Sequence, residues 1–162
     1  MRPFESIPVM DDLKALALAL KESSEIEAWC QLNYGRSLRV CVGRDGRVAT
    51  KVEAYPMVEL VPVFGTSGGG VEEIMSSFGM ICGVHDDQLE PLVVEGLEIL
   101  QGLVRISELY TLAQAVLSAV DWGDGYLDEG AVDFSDDAIY PFFLAGVSVR
   151  ITQELLLGGN HS

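Results

Sequence analysis

The chain has 162 residues, 49% of them hydrophobic, and twenty-five acids against ten bases give a formal net charge of −15. That length suits one domain around one core, and the charge argues against non-specific binding to nucleic acid or to anionic lipid. A chain this apolar is expected to hide surface in an oligomer rather than stay a monomer.

Met10, Leu13, Leu16, Ala17 and Leu20 recur at helical spacing behind Pro8 and the acidic pair Asp11 and Asp12. Acids suit the positive end of a helix, so the spacing predicts a helix over about 9–21. The same acids, with Glu5 and Lys14, break the apolar run that a signal peptide would need, and no export is expected. Ser24 and Glu27 read as a capping box opening a short second helix, with Ile26 and Trp29 turned inward and an end near Tyr34 and Gly35.

From Ser37 the period switches to two. Leu38, Val40 and Val42 alternate with Arg39, Cys41 and Gly43, and after Asp45 and Gly46 the alternation resumes with Val48 and Val52. Asp-Gly between alternating runs predicts a β-hairpin over about 37–53. This hairpin carries Arg39, Arg44, Arg47 and Lys51, and with Arg36 it holds five of the ten bases. Residues 52–162 hold only Arg105 and Arg150 against eighteen acids, so the stretch is the one basic surface the chain can offer. It serves either as a charged, soluble sheet edge or as a surface for an acidic partner.

The run 55–64 is apolar on both faces apart from Glu59 and is bounded by Pro56 and Pro62, which predicts a buried strand. The following 65–70, GTSGGG, lacks the Gly-Lys-Ser/Thr of a phosphate cradle and reads as a loop. A further strand centres on Phe78, Met80 and Cys82. It leads through His85, Asp86 and Asp87 into 92–120, thirty residues or so without proline. There Ile99, Leu103, Ile106, Tyr110, Ala113, Leu117 and Val120 share one helical stripe, predicting a single long helix. Residues 121–137 follow with seven acids, including Asp124, Asp128, Glu129 and Asp133, and no base. A surface loop or weak hairpin is expected, with Val132 and Phe134 paired. In 140–155, Phe143, Ala145, Val147, Val149 and Ile151 alternate with Leu144, Gly146, Ser148 and Arg150, which predicts a long strand with one apolar face. The last residues, 158–162, are expected to be disordered. The sum is one α+β domain over 1–157, its helices packed on a mainly antiparallel sheet.

The chemistry is sparse. His85, Asp86 and Asp87 put an imidazole beside two carboxylates at a strand end, an arrangement suited to acid/base work. A small cytosolic enzyme or ligand-binding domain built there predicts a closed pocket near the turn; the other reading is a polar turn at the head of the long helix. No second histidine or cysteine stands at metal-ligand spacing. The sequence around Asp124 resembles the middle of a calcium loop but lacks carboxylates at three of the required positions. Cys30, Cys41 and Cys82 are too few and too widely spaced for a disulfide framework, and they point to a reducing cytosol. No catalytic residue, metal or cofactor is expected.

The helix headed by Asp11 and Asp12 with LKALALAL, the strand hairpin, the proline-flanked YPMVELVPV, the long helix and the closing YPFFLAGVSVRI resemble the tail terminator and tail-completion proteins of long-tailed bacteriophages. The likeness runs from about Val9 to Leu155 and is one of element order and hydrophobic pattern; the acidic stretch 121–137 departs from it. It implies a non-enzymatic α+β subunit that assembles as a ring, commonly a hexamer, on the last ring of the tail tube. Such a ring stops tail growth and presents a surface to the head, so the implied partners are the tube protein and a head-completion protein. The implied location is the cytoplasm of the bacterial host and then the virion tail. Independently of the likeness, a basic stretch and an acidic remainder on one subunit are complementary and favour head-to-tail contacts. Arg39, Arg44, Arg47 and Lys51 are therefore expected to face Asp124, Asp128, Glu129 and Asp133 of a neighbouring copy.

Overall fold

A computed structural model describes residues 8–63, 73–122, 126–133 and 140–154. Among these residues three helices and seven strands form an α+β fold: α1 (Pro8–Glu22), α2 (Ser24–Tyr34), β1 (Arg39–Val42), β2 (Met57–Val63), β3 (Glu73–His85), β4 (Leu92–Val94), β5 (Leu97–Ile99), α3 (Gln101–Ala119), β6 (Tyr126–Asp133) and β7 (Phe142–Glu154). A 3₁₀ turn, Val52–Ala54, precedes β2. The main sheet runs β1-β2-β3-β7-β6, and β4 and β5 form a separate two-stranded sheet. The β1–β2 pair is parallel, and the other pairs of the main sheet are antiparallel.

Alternation along the central strands decides where the core sits. Val58 and Leu60 of β2, Phe78, Met80, Cys82 and Val84 of β3, and Phe143, Ala145, Val147, Val149 and Ile151 of β7 are all buried in one cluster. The same cluster takes Leu13, Leu16 and Leu20 from α1, Ile26 and Cys30 from α2, and Ile106, Leu109, Ala113 and Leu117 from α3. All three helices thus pack on one face of the sheet, as period-2 and period-3.6 patterns require when they share a core. Gly102 marks the closest approach, because a Cβ there would overlap the Phe143 ring. A smaller cluster of Ala54, Tyr55, Met57 and Leu144 forms apart from the main one. Among the described residues no helix is long and apolar enough to cross a membrane.

Four expectations change. The stretch 121–137, expected as a surface loop or weak hairpin, contains β6, which joins the main sheet antiparallel to β7. The hairpin over 37–53 does not form: β1 pairs in parallel with β2. The cause is local, since the Asp45 carboxylate accepts the Arg47 amide while the Asp45 amide donates to Glu59, folding the segment towards β2 instead of back along β1. The single helix over 92–120 is shortened to Gln101–Ala119, with a β-hairpin ahead of it. Glu95 and Gly96 adopt φ of 53° and 79°, and two successive positive φ values stop a helix and suit a two-residue hairpin turn. The cap of α2 is Ser23, whose hydroxyl accepts the Ile26 amide at 3.3 Å, one residue ahead of the box at Ser24. The segment 65–70, Phe134 and the tail 158–162 lie outside the described residues.

Candidate functional site

The basic stretch is tied down by acids of its own chain. Glu59, only 3% exposed, is the one buried charged side chain among the described residues. It lies 3.6 Å from both Arg39 Nη2 and Arg44 Nε, and its Oε2 accepts the Asp45 amide at 3.1 Å. A carboxylate taken out of water needs such company. Arg39 also donates through Nε to the Ala54 carbonyl at 3.0 Å, so its head is held at the edge of β2. Arg47 forms a two-pronged contact with Asp45, both distances 2.9 Å, which pulls the Asp45 carboxyl down to about pH 2. Lys51 is exposed, and its carbonyl accepts the Ala54 amide as the 3₁₀ turn begins.

The acidic residues lie at the far side of the sheet. Asp128, Glu129 and Asp133 stand on β6, in register with Arg150, Val149 and Gly146 of β7, with a bulge between Glu129 and Val132. Asp124 is outside the described residues. Because β1 and β6 are the terminal strands of the main sheet, each is hydrogen-bonded to a strand on one side only among the described residues. At ~4.8 Å per strand spacing, four spacings put the basic and acidic edges roughly 19 Å apart. Asp128, Glu129 and Asp133 are therefore on the opposite margin of the sheet from β1 and the basic stretch that follows it.

His85, Asp86 and Asp87 leave β3 beside a cleft of about 480 Å³ bounded by the end of α2, the 3₁₀ turn and the start of α3. His85 packs on Phe142 with ring centroids 5.0 Å apart. The Asp86 amide donates to the Pro141 carbonyl, and the Asp86 side chain accepts the Gln88 amide at 2.9 Å. On the opposite wall, Arg36 Nη1 donates to the Val52 and Tyr55 carbonyls. Arg105 is paired with Glu108 at 2.6 Å, and Glu108 also accepts Trp29 Nε1. The Tyr34 hydroxyl is buried without a partner, and burial together with the nearby Asp86 raises its pKa. Cys30 and Cys82 are buried, which pushes both thiols up to about 12 and leaves them protonated and unreactive. Among the described residues no group of three or more His, Cys, Asp or Glu side chains is placed to hold a metal ion.

The β4–β5 hairpin was hidden from the sequence reading by its apolar spacing. Val93 and Leu97 are 69% and 65% exposed, and Leu89, Leu92, Val94 and Leu100 are exposed around them. A two-stranded hairpin is at best marginally stable by itself, so an apolar one standing clear of the core calls for a covering surface. The signal that could have found it is Glu95-Gly96 between Leu92-Val93-Val94 and the alternating Leu97-Glu98-Ile99, a turn dipeptide at hairpin spacing.

No protein-family model and no curated protein matches this chain.

Proposed function

We propose that the chain is a structural subunit of a phage or prophage tail, one that forms a ring, caps the tail tube and joins it to the head. The observation that carries this reading is the placement of the basic stretch and the acidic strand β6 on opposite edges of one sheet. Complementary patches on opposite sides of a subunit favour head-to-tail association, which closes into a ring when the rotation permits. Each interface then sets Arg44, Arg47 and Lys51 of one copy against Asp128, Glu129 and Asp133 of the next. The resemblance in element order and hydrophobic pattern supplies the phage context and makes a hexamer the expected closure.

Native mass measurement tests the reading directly. The chain is expected to run as a closed oligomer at low salt and to dissociate as salt screens the exposed charges. Arg44→Glu with Arg47→Glu should shift it to smaller species without unfolding it, whereas an unchanged mass profile argues strongly against the charged edges as the interface. A position between head-completion and tail-tube genes is the further expectation. The cleft beside His85 favours a second reading, a small ligand-binding domain or enzyme. That reading predicts a monomer or dimer whose mass does not respond to the charge reversal.

A further inference from the structure

We infer that the β4–β5 hairpin is an arm that docks in the cleft of a neighbouring copy, between α2 and the 3₁₀ turn. The inference rests on the ring reading and adds a second contact to each interface. The hairpin leaves from the rim of its own cleft, where Gln88 and Gln101 stand, yet none of residues 89–100 lines that cleft. Its apolar side chains are therefore uncovered while a cavity of about 480 Å³ stands open beside its root.

Charge selects the occupant. The segment 86–101 carries Asp86, Asp87, Glu90, Glu95 and Glu98 and no lysine or arginine, so pairing of two such hairpins face to face sets acids against acids. A surface that accepts the arm has to be apolar with cations at its margin. The cleft meets this on its helix side: Leu32 is 84% exposed, Val52 is 42% exposed, and Arg36 lines the same cleft, its guanidinium held by the Val52 and Tyr55 carbonyls. Asp86 and Asp87 at the β3 end repel the arm's acids, which orients it with Glu95 and Glu98 towards Arg36 and its apolar residues on Leu32 and Val52. One copy thus supplies an arm and a receptor at different places, as a head-to-tail contact demands.

Paired cysteine variants test this in the full chain. Glu95→Cys and Leu32→Cys are made separately, mixed and treated with a short bismaleimide; the unsubstituted chain, with its own three cysteines, is the control. A covalent dimer containing one of each variant, above the control and absent from either variant alone, is the expected result. Val93→Asp with Leu97→Asp should abolish that dimer and weaken the assembly at least tenfold in the midpoint concentration. An oligomer of unchanged mass that gives no mixed dimer overturns the arm and leaves the ring reading standing. A chain that is monomeric throughout overturns both. A folded double-aspartate variant, shown by an unaltered circular dichroism spectrum, keeps the second arm of the test free of unfolding.

Discussion

Asp12 couples the first helix to pH. Its carboxyl titrates at about 6 instead of the ordinary 3.8, because burial disfavours the charged form and Asp11 adds like-charge repulsion. The folded chain then keeps a proton that the unfolded chain has lost, so stability declines as pH rises from 3.8 to about 6 and stays lower above it. Asp12→Asn should flatten that part of the melting-temperature profile and raise the midpoint at pH 7, read by thermal circular dichroism across pH 4 to 8. Glu59 is a buried carboxylate held by its partners. Replacing it with glutamine leaves Arg39 and Arg44 without a counter-charge and weakens the acceptor for the Asp45 amide. A loss of about 1–3 kcal/mol in denaturant unfolding is expected, the range for a compromised buried acceptor. Neither role was legible beforehand. Glu59 read only as a lone acid in an apolar strand, and the arginines that neutralise it read as an outward-facing set, because pairing across strands is invisible to period alone.

At the scale of elements, legibility followed the length and purity of the pattern. The closing strand alternates over most of its length, and its five expected core residues, Phe143, Ala145, Val147, Val149 and Ile151, are all buried, while Leu144 on the other face is buried in the smaller cluster. Helix α1 was equally plain, with Leu13, Leu16 and Leu20 at most 1% exposed. The stripe of α3 held for Ile106, Tyr110, Ala113 and Leu117 but failed at its start, where Leu103 is 40% exposed and Ile99 belongs to β5. Short apolar runs satisfy both periods, and only the turn at Glu95 and Gly96 separates a hairpin from a helix there. The Asp-Gly signal misled for the converse reason: the side chain of Asp45 was engaged by Arg47, so the turn closed locally and the strand after it never formed. Gly102 carries a prediction at this scale. Its substitution by valine drives a branched side chain into Phe143, and a loss of about 1–3 kcal/mol or a displaced α3 should follow, measured by denaturant titration and by amide exchange along the helix.

For the whole molecule, the uneven charge noted in the sequence becomes a directional property once the sheet order is known. A net charge of −15 would by itself keep copies apart. With the basic stretch gathered on the β1 margin, repulsion is relieved in one relative orientation, and the same charge suppresses the others. In the proposed ring, the partial neutralisation of Arg39, Arg44 and Arg47 within the chain would moderate this attraction and leave room for the proposed apolar arm. The candidate site was legible in its charges, whose segregation needs only counting, and illegible in its geometry, since nothing in the order of residues says that β7 passes between β3 and β6.

That passage has a consequence for timing. β7 is the last described strand, yet it runs beside β3 for thirteen paired positions and is the only strand that β6 hydrogen-bonds among the described residues. During synthesis the basic margin can take shape early, from β1 and β2, while the acidic margin has no seat until the final strand is laid in place. A half-made chain can therefore offer one side of the contact but never both. If the chain forms the proposed ring, assembly is thereby reserved for subunits whose translation and folding are complete.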